Sequence, residues 1–92
     1  MLHIVRQSPF DSRVLDECLN LIAPSDSLLL VQDAVIAACV SDPVSRLQTA
    51  GVPIYVLAED LLARGLCPMA GEIVDMAAFV RLVVEQGSPL RW

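Results

Sequence analysis

The sequence predicts an α/β domain built on a mostly parallel sheet of four or five strands flanked by helices. Two observations carry that expectation. Short apolar runs alternate with amphipathic segments through brief connections, and "SLLLVQ", Ser27 to Gln32, is nearly continuous in apolar character. Such a run is typical of a strand covered on both faces.

Taken in order, "LHIV", Leu2 to Val5, reads as the first strand. "SPFD" then resembles a helix start, with Ser8 as N-cap, Pro9 in the first helical position and Asp11 closing a capping box. Val14, Leu15, Cys18, Leu19 and Ile22 recur at helical spacing before Pro24 ends the pattern. After the Ser27 to Gln32 strand, Asp33 is placed to cap a helix over "AVIAACV". "SDP" should stop that helix, leaving "VSRLQTAG" a turn or two before Gly51.

"PIYVLA", Pro53 to Ala58, supplies a third strand, and "EDLLARG" a short helix with Gly65 at its C-cap. "EIVD" is expected as a fourth strand, Met76 to Gln86 as the last helix, and "SPLRW" as a short extended end. Right-handed crossovers would join parallel strands. No internal repeat, linker or low-complexity stretch divides residues 1–92, so one domain is expected.

Composition narrows the function. With 92 residues, 55% hydrophobic, and a mean hydropathy of +0.62, the chain is more apolar than so small a globule can bury in itself, and a large subunit interface is expected. The longest charge-free run, Leu47 to Ala58, is too short for a membrane span and contains Gly51 and Pro53. No basic segment leads into an apolar export signal, so a cytoplasmic location is expected. A net charge of -5, with six Arg and no Lys, offers no basic stripe for a phosphate backbone, which argues against direct nucleic-acid binding.

The chemistry-bearing residues are few. The strand-to-helix turns hold neither GxGxxG nor GxxxxGK, so nucleotide binding is not expected. Cys18, Cys39 and Cys67 lack CxxC spacing and a nearby His, which points to neither a disulfide framework nor a metal site. Cys18 falls on the apolar stripe beside Asp16 and Glu17, where burial and anions should raise its pKa. Cys39 lies late in its helix and reads as core. Cys67 sits in a loop near Arg64 and should be the most exposed thiol. His3 reads as a structural or interface residue. Glu59 and Asp60 occupy the first turn of their helix, where carboxylates suit exposed amides and already fill the pole that could favour a thiolate.

"MLH" at the start, "SPF", "LLLVQDAVIAA", "EDLLARGL", "FVRL" and the terminal Trp92, in this order, resemble the TusB/DsrH family of sulfur-relay proteins over essentially the whole chain. The resemblance implies a Rossmann-like three-layer subunit that assembles with TusC/DsrF-like and TusD/DsrE-like chains as a heterohexamer. In that family the TusD/DsrE chain carries the persulfide-accepting cysteine where this sequence has Leu57, Ala58, Glu59 and Asp60. A non-catalytic subunit follows, in a complex exchanging sulfur with TusA-like and TusE/DsrC-like carriers for 2-thiolation of the tRNA wobble uridine.

The DsrH branch, serving dissimilatory sulfur oxidation, has a cysteine in the first helix that Cys18 matches, so Cys18 is a candidate secondary sulfur carrier. Ala34 departs from the glycine common in the family's "QDG". No cofactor is implied. A homo-oligomeric module without a sulfur role remains the plainer alternative.

Overall fold

The computed structural model describes residues 1–92. Its strands are β1 (Leu2–Val5), β2 (Ser27–Leu30), β3 (Ile54–Leu57), β4 (Glu72–Val74) and β5 (Leu90–Arg91). Its α-helices are α1 (Val14–Leu21), α2 (Ser41–Ala50), α3 (Ala58–Arg64) and α4 (Met76–Gln86), and a 3-10 helix spans Gln32–Ala38. The five strands form one sheet in the order β4-β3-β2-β1-β5, and every neighbouring pair is parallel.

That order decides which face each helix covers. From β1 to β4 the chain moves one strand at a time in one direction, and right-handed crossovers place the intervening helices on one face. On that side Val5, Leu28, Leu30 and Val56 pack with Leu15 and Cys18 of α1, Val35 of the 3-10 helix, Leu47 of α2 and Leu61 of α3. The return from β4 to β5 runs the opposite way, so α4 lies on the other face. There Leu2, Ile4, Leu29 and Val31 meet Ala78, Phe79, Leu82 and Val83. The continuous apolar run of β2 is thus explained: successive residues feed two separate cores.

α4 alone covers the second face, and none of its residues is fully buried. Its inner side packs on the sheet, while Met76, Val80 and Val84, four apart on the outer side, remain exposed, with Ile73 of β4 also exposed. A helix apolar on both sides is not the ordinary surface helix of a lone globule.

Several local expectations are corrected. The first helix begins at Val14 rather than at Ser8. Residues 8–12 instead form tight turns: the Ser8 carbonyl accepts from the Asp11 and Ser12 amides, and its hydroxyl accepts from the Phe10 amide at 3.2 Å. With both Ser8 oxygens used within the turn, no capping box forms between Ser8 and Asp11; Ser12 Oγ meets the Val14 amide at 3.1 Å. The helix expected over "AVIAACV" is a 3-10 rather than an α-helix and spans Gln32–Ala38, so Cys39 lies just past its end instead of late within it. In a 3-10 helix residues three apart eclipse, a crowding that Ala34 and Ala37 tolerate because they are small, and both are fully buried.

"SDP" opens α2 instead of ending the previous helix, because Pro43 lies in the first turn, where its missing N–H costs no hydrogen bond. "SPLRW" pairs as β5 along β1, with His3 opposite Leu90. Gly65 closes α3 at φ +64, as expected of a left-handed C-cap. Gly71, at φ +85, is tighter: a Cβ there would stand 3.0 Å from Val56 Cγ2.

Candidate functional site

In open parallel sheets, ligands and reactive groups gather beyond the carboxyl ends of the strands, where helix N-termini point outward. Here that edge is furnished with carboxylates. Asp75 caps α4 by accepting from the Ala78 amide at 2.8 Å. Glu59 and Asp60 lie in the first turn of α3, yet both reach away from it. The Glu59 carboxylate accepts from the Met76 amide at 3.1 Å, and that of Asp60 from the Gln32 amide at 2.6 Å. Gln32 has φ +51, a conformation uncommon for a side-chain-bearing residue, and the Asp60 bond holds its amide there.

Asp33 does not cap the element that follows it. The 3-10 helix starts one residue earlier, at Gln32, and has no side-chain cap; Asp33 instead accepts from Arg64 Nε at 3.1 Å and Nη2 at 2.9 Å. Arg64 also donates to the Asp60 carbonyl at 3.3 Å. The acidic pair and Arg64 therefore tie three elements together: the 3-10 helix, α3 and α4. Ser8, Asp11, Asp33, Ile36, Arg64 and Leu66 line a shallow depression beside this lattice. Its one cation, Arg64, is already paired with Asp33. A larger depression lies away from this edge, between α1 and α2, where Asp16 and Asp42 hold Arg46 at 3.0 and 2.8 Å.

No thiol stands at the helix N-termini of this edge. Cys18, on the buried face of α1, is fully buried, and its thiol is pushed up to about 12, mainly by burial and secondarily by the Asp26 carboxylate. Cys39 follows the 3-10 helix, half-buried, and burial raises its thiol too, with Cys67 adding to the effect. Cys67 is exposed. Nowhere do three His, Cys, Asp or Glu side chains gather closely enough to hold a metal ion. No helix is long and apolar enough to cross a membrane.

Sequence reasoning missed a second polar cluster at the amino edge of the sheet. His3 is buried, with Nε2 2.8 Å from Asp26 Oδ2, while its Nδ1 accepts from the Trp92 indole N–H at 3.1 Å. Trp92 Nε1 can only donate, so the imidazole is assigned as the neutral tautomer with its proton on Nε2. Asp26 also accepts from the Ala23 amide at 3.0 Å and from the Met1 α-amino group at 3.1 Å. No sequence spacing links His3 to Asp26. The β1–β2 register does, by setting Leu2 opposite Ser27.

These donors, the His3 hydrogen bond first, hold the Asp26 carboxyl well below the usual carboxylate range. Because the folded value is depressed, the stabilisation is present above the ordinary carboxylate value and is lost as pH falls from there toward the folded one. We expect the wild-type melting temperature to drop more steeply than that of Asp26→Asn as pH falls below about 4. Parallel acid profiles in thermal melts would exclude this role.

With this geometry in view, the chain can be set beside known proteins. A family model described as "DsrH like protein" matches residues 7–88. The chain belongs to the TusB/DsrH family. It is 40% identical to Protein TusB of Erwinia tasmaniensis over 96 residues, and 38% identical to Protein TusB of Escherichia coli K12 over 98, spanning the full length of both partners in each comparison. The crystal structure of the ychN protein from E. coli superposes with a TM-score of 0.77 at 20% identity, covering 99% of this chain and 97% of that one. At that identity the likeness concerns the fold, and it matches the TusB/DsrH domain's parallel sheet with flanking helices.

Proposed function

We propose that this chain is a non-catalytic subunit of a cytoplasmic, heterohexameric sulfur-relay complex acting in 2-thiolation of the tRNA wobble uridine. The observation that carries the reading is the carboxyl edge, where Glu59 and Asp60 bind the amides that begin neighbouring elements. An electropositive helix start favours the anion of a persulfide-bearing cysteine. At α3 that pole is acidic. Kinship with proteins named TusB supports the pathway.

The subunit's contribution is structural. TusC/DsrF-like and TusD/DsrE-like chains are its partners, and TusA-like and TusE/DsrC-like carriers exchange sulfur with the assembly. The exposed apolar stripe of α4, with Ile73, supports burial against another chain, since obligate interfaces are more apolar than transient ones.

The test is native mass spectrometry of the complex purified from its host through this chain, followed by intact masses of each subunit. Two related partners, with the added mass of sulfur on a partner only, are expected. Sulfur on this chain would overturn the non-catalytic assignment, and isolation without partners would overturn the complex.

One other reading has a specific residue behind it: a DsrH-type subunit in dissimilatory sulfur oxidation, carrying sulfur on Cys18. Burial and a raised thiol weigh against it. Cys18→Ala is therefore expected to leave sulfur transfer intact in the assembled complex. Abolished transfer in a fully assembled variant would reverse the assignment.

A further inference from the structure

Cys39 and Cys67 are far apart in sequence, and neither has a part in the carboxylate lattice at the sheet edge. The fold nevertheless brings their segments together. The Met69 amide donates to the Ala38 carbonyl at 2.6 Å, which docks the loop after α3 onto the end of the 3-10 helix. Cys39 is the residue after Ala38, and Cys67 lies two before Met69. Leu66 and Cys39 both pack against the same buried cluster. The Cys39 thiol contacts the Val35 carbonyl at 3.4 Å and is half-buried, whereas Cys67 is exposed.

We propose that Cys39 and Cys67 are a redox-active thiol pair that closes into a disulfide when a low-molecular-weight disulfide is the oxidant. The exposed Cys67 meets the reagent first. Its thiolate attacks one sulfur of the reagent, forming a mixed disulfide and releasing one thiolate. Cys39 then gives up its proton to solvent and attacks the Cys67 sulfur, expelling the second thiolate. Two protein thiols lose two electrons and two protons in all, and the reagent is reduced to two thiols.

Accessibility sets this order, because the first attack needs an exposed sulfur and the second needs only a neighbour. Burial pushes the Cys39 thiol up, which suits it to the second step and makes that step the slower one. Cys18, on the buried face of α1, is fully inaccessible to solvent, so a reagent does not meet it first. Closure would clasp the 3-10 helix to the loop that leads into β4. The proposal is independent of the sulfur-relay reading, since it needs only this chain and a small disulfide.

The experiment is oxidation of the native full-length chain with glutathione disulfide at mildly alkaline pH, read by intact mass after acid quenching. Wild type should pass through a glutathione adduct to a species lighter by two hydrogen atoms, and Cys18→Ala should do the same. Cys39→Ser should stop at the adduct, and Cys67→Ser should form neither product at a comparable rate. In denaturant the same reagent should also yield pairings with Cys18, identifying the native preference as a property of the fold.

Closure that persists in Cys39→Ser or Cys67→Ser would overturn the proposal. So would a native wild-type chain that accumulates the Cys67 adduct and never closes. Fragment sequencing of the wild-type product provides a check that needs no variant, since a crosslink engaging Cys18 would refute the assignment directly.

Discussion

Raising the pH from 9 to 12 is expected to cost the folded chain about 3 kcal/mol through Cys18 alone. The thiol's ordinary value is 9.0 and burial moves it to about 12. Below 9 both the folded and unfolded chains keep the proton, so stability is unaffected. Above it the unfolded thiol ionises while the buried one cannot, and the folded state loses about 1.4 kcal/mol per pH unit until its own thiol titrates. Alkaline denaturant titrations of wild type and Cys18→Ala should therefore converge as pH rises.

At neutral pH the variant lacks a buried sulfur and should be less stable, by roughly 1–2 kcal/mol. Above pH 9 it escapes the linkage penalty, so the gap should close and then reverse. A constant difference across the range would mean that Cys18 ionises normally in the folded state. That result would also restore it as a candidate sulfur nucleophile.

The second large effect concerns the acidic pair. Glu59→Ala with Asp60→Ala removes the acceptors for the Met76 and Gln32 amides, and each lost cap costs roughly 0.5–2 kcal/mol. Asp60 also accompanies Arg64, so the sum should fall at the upper end, about 2–4 kcal/mol. The signature is where the loss appears. Amide exchange should accelerate at Gln32 and Met76, in elements remote in sequence, while the interior of α3 keeps its protection. Faster exchange confined to the first turn of α3 would mean that the carboxylates serve only their own helix.

The distinction matters for function. A pair that only caps α3 would leave the starts of its neighbours available, whereas a pair that bridges three elements makes this edge a rigid, anion-filled surface. Such a surface suits a subunit that presents a fixed shape to its partners. It is poorly suited to holding a negatively charged sulfur.

Much of the architecture was legible in the residues. Apolar runs and period-3.6 patterns place the first four strand segments and Met76–Gln86, because those patterns follow from which side of an element is dry, whereas "SPLRW" reads only as an extended end until β1 pairs with it. Gly65 was legible because a left-handed C-cap is a local property of the backbone. The start of α1 was not: Ser8 has the chemistry of a cap, but its oxygens serve turn amides equally well, and competition among local bonds has no sequence signature. The 3-10 character of Gln32–Ala38 was hidden for a related reason, since its small buried residues suit either helix.

The alternation of apolar runs thus suffices for a parallel α/β layer structure, and the family pattern for its kinship. Long-range partners are another matter. Asp60 meeting Gln32, Glu59 meeting Met76, His3 lying between Asp26 and Trp92, and the Met69 amide meeting the Ala38 carbonyl all depend on how the strands are ordered and stacked. Hydrophobic periodicity specifies which side of each element is buried, because that free energy is non-directional and scales with area. Hydrogen bonds and charge pairs are directional and act over a few ångströms, so their partners exist only once the strands have been stacked in order.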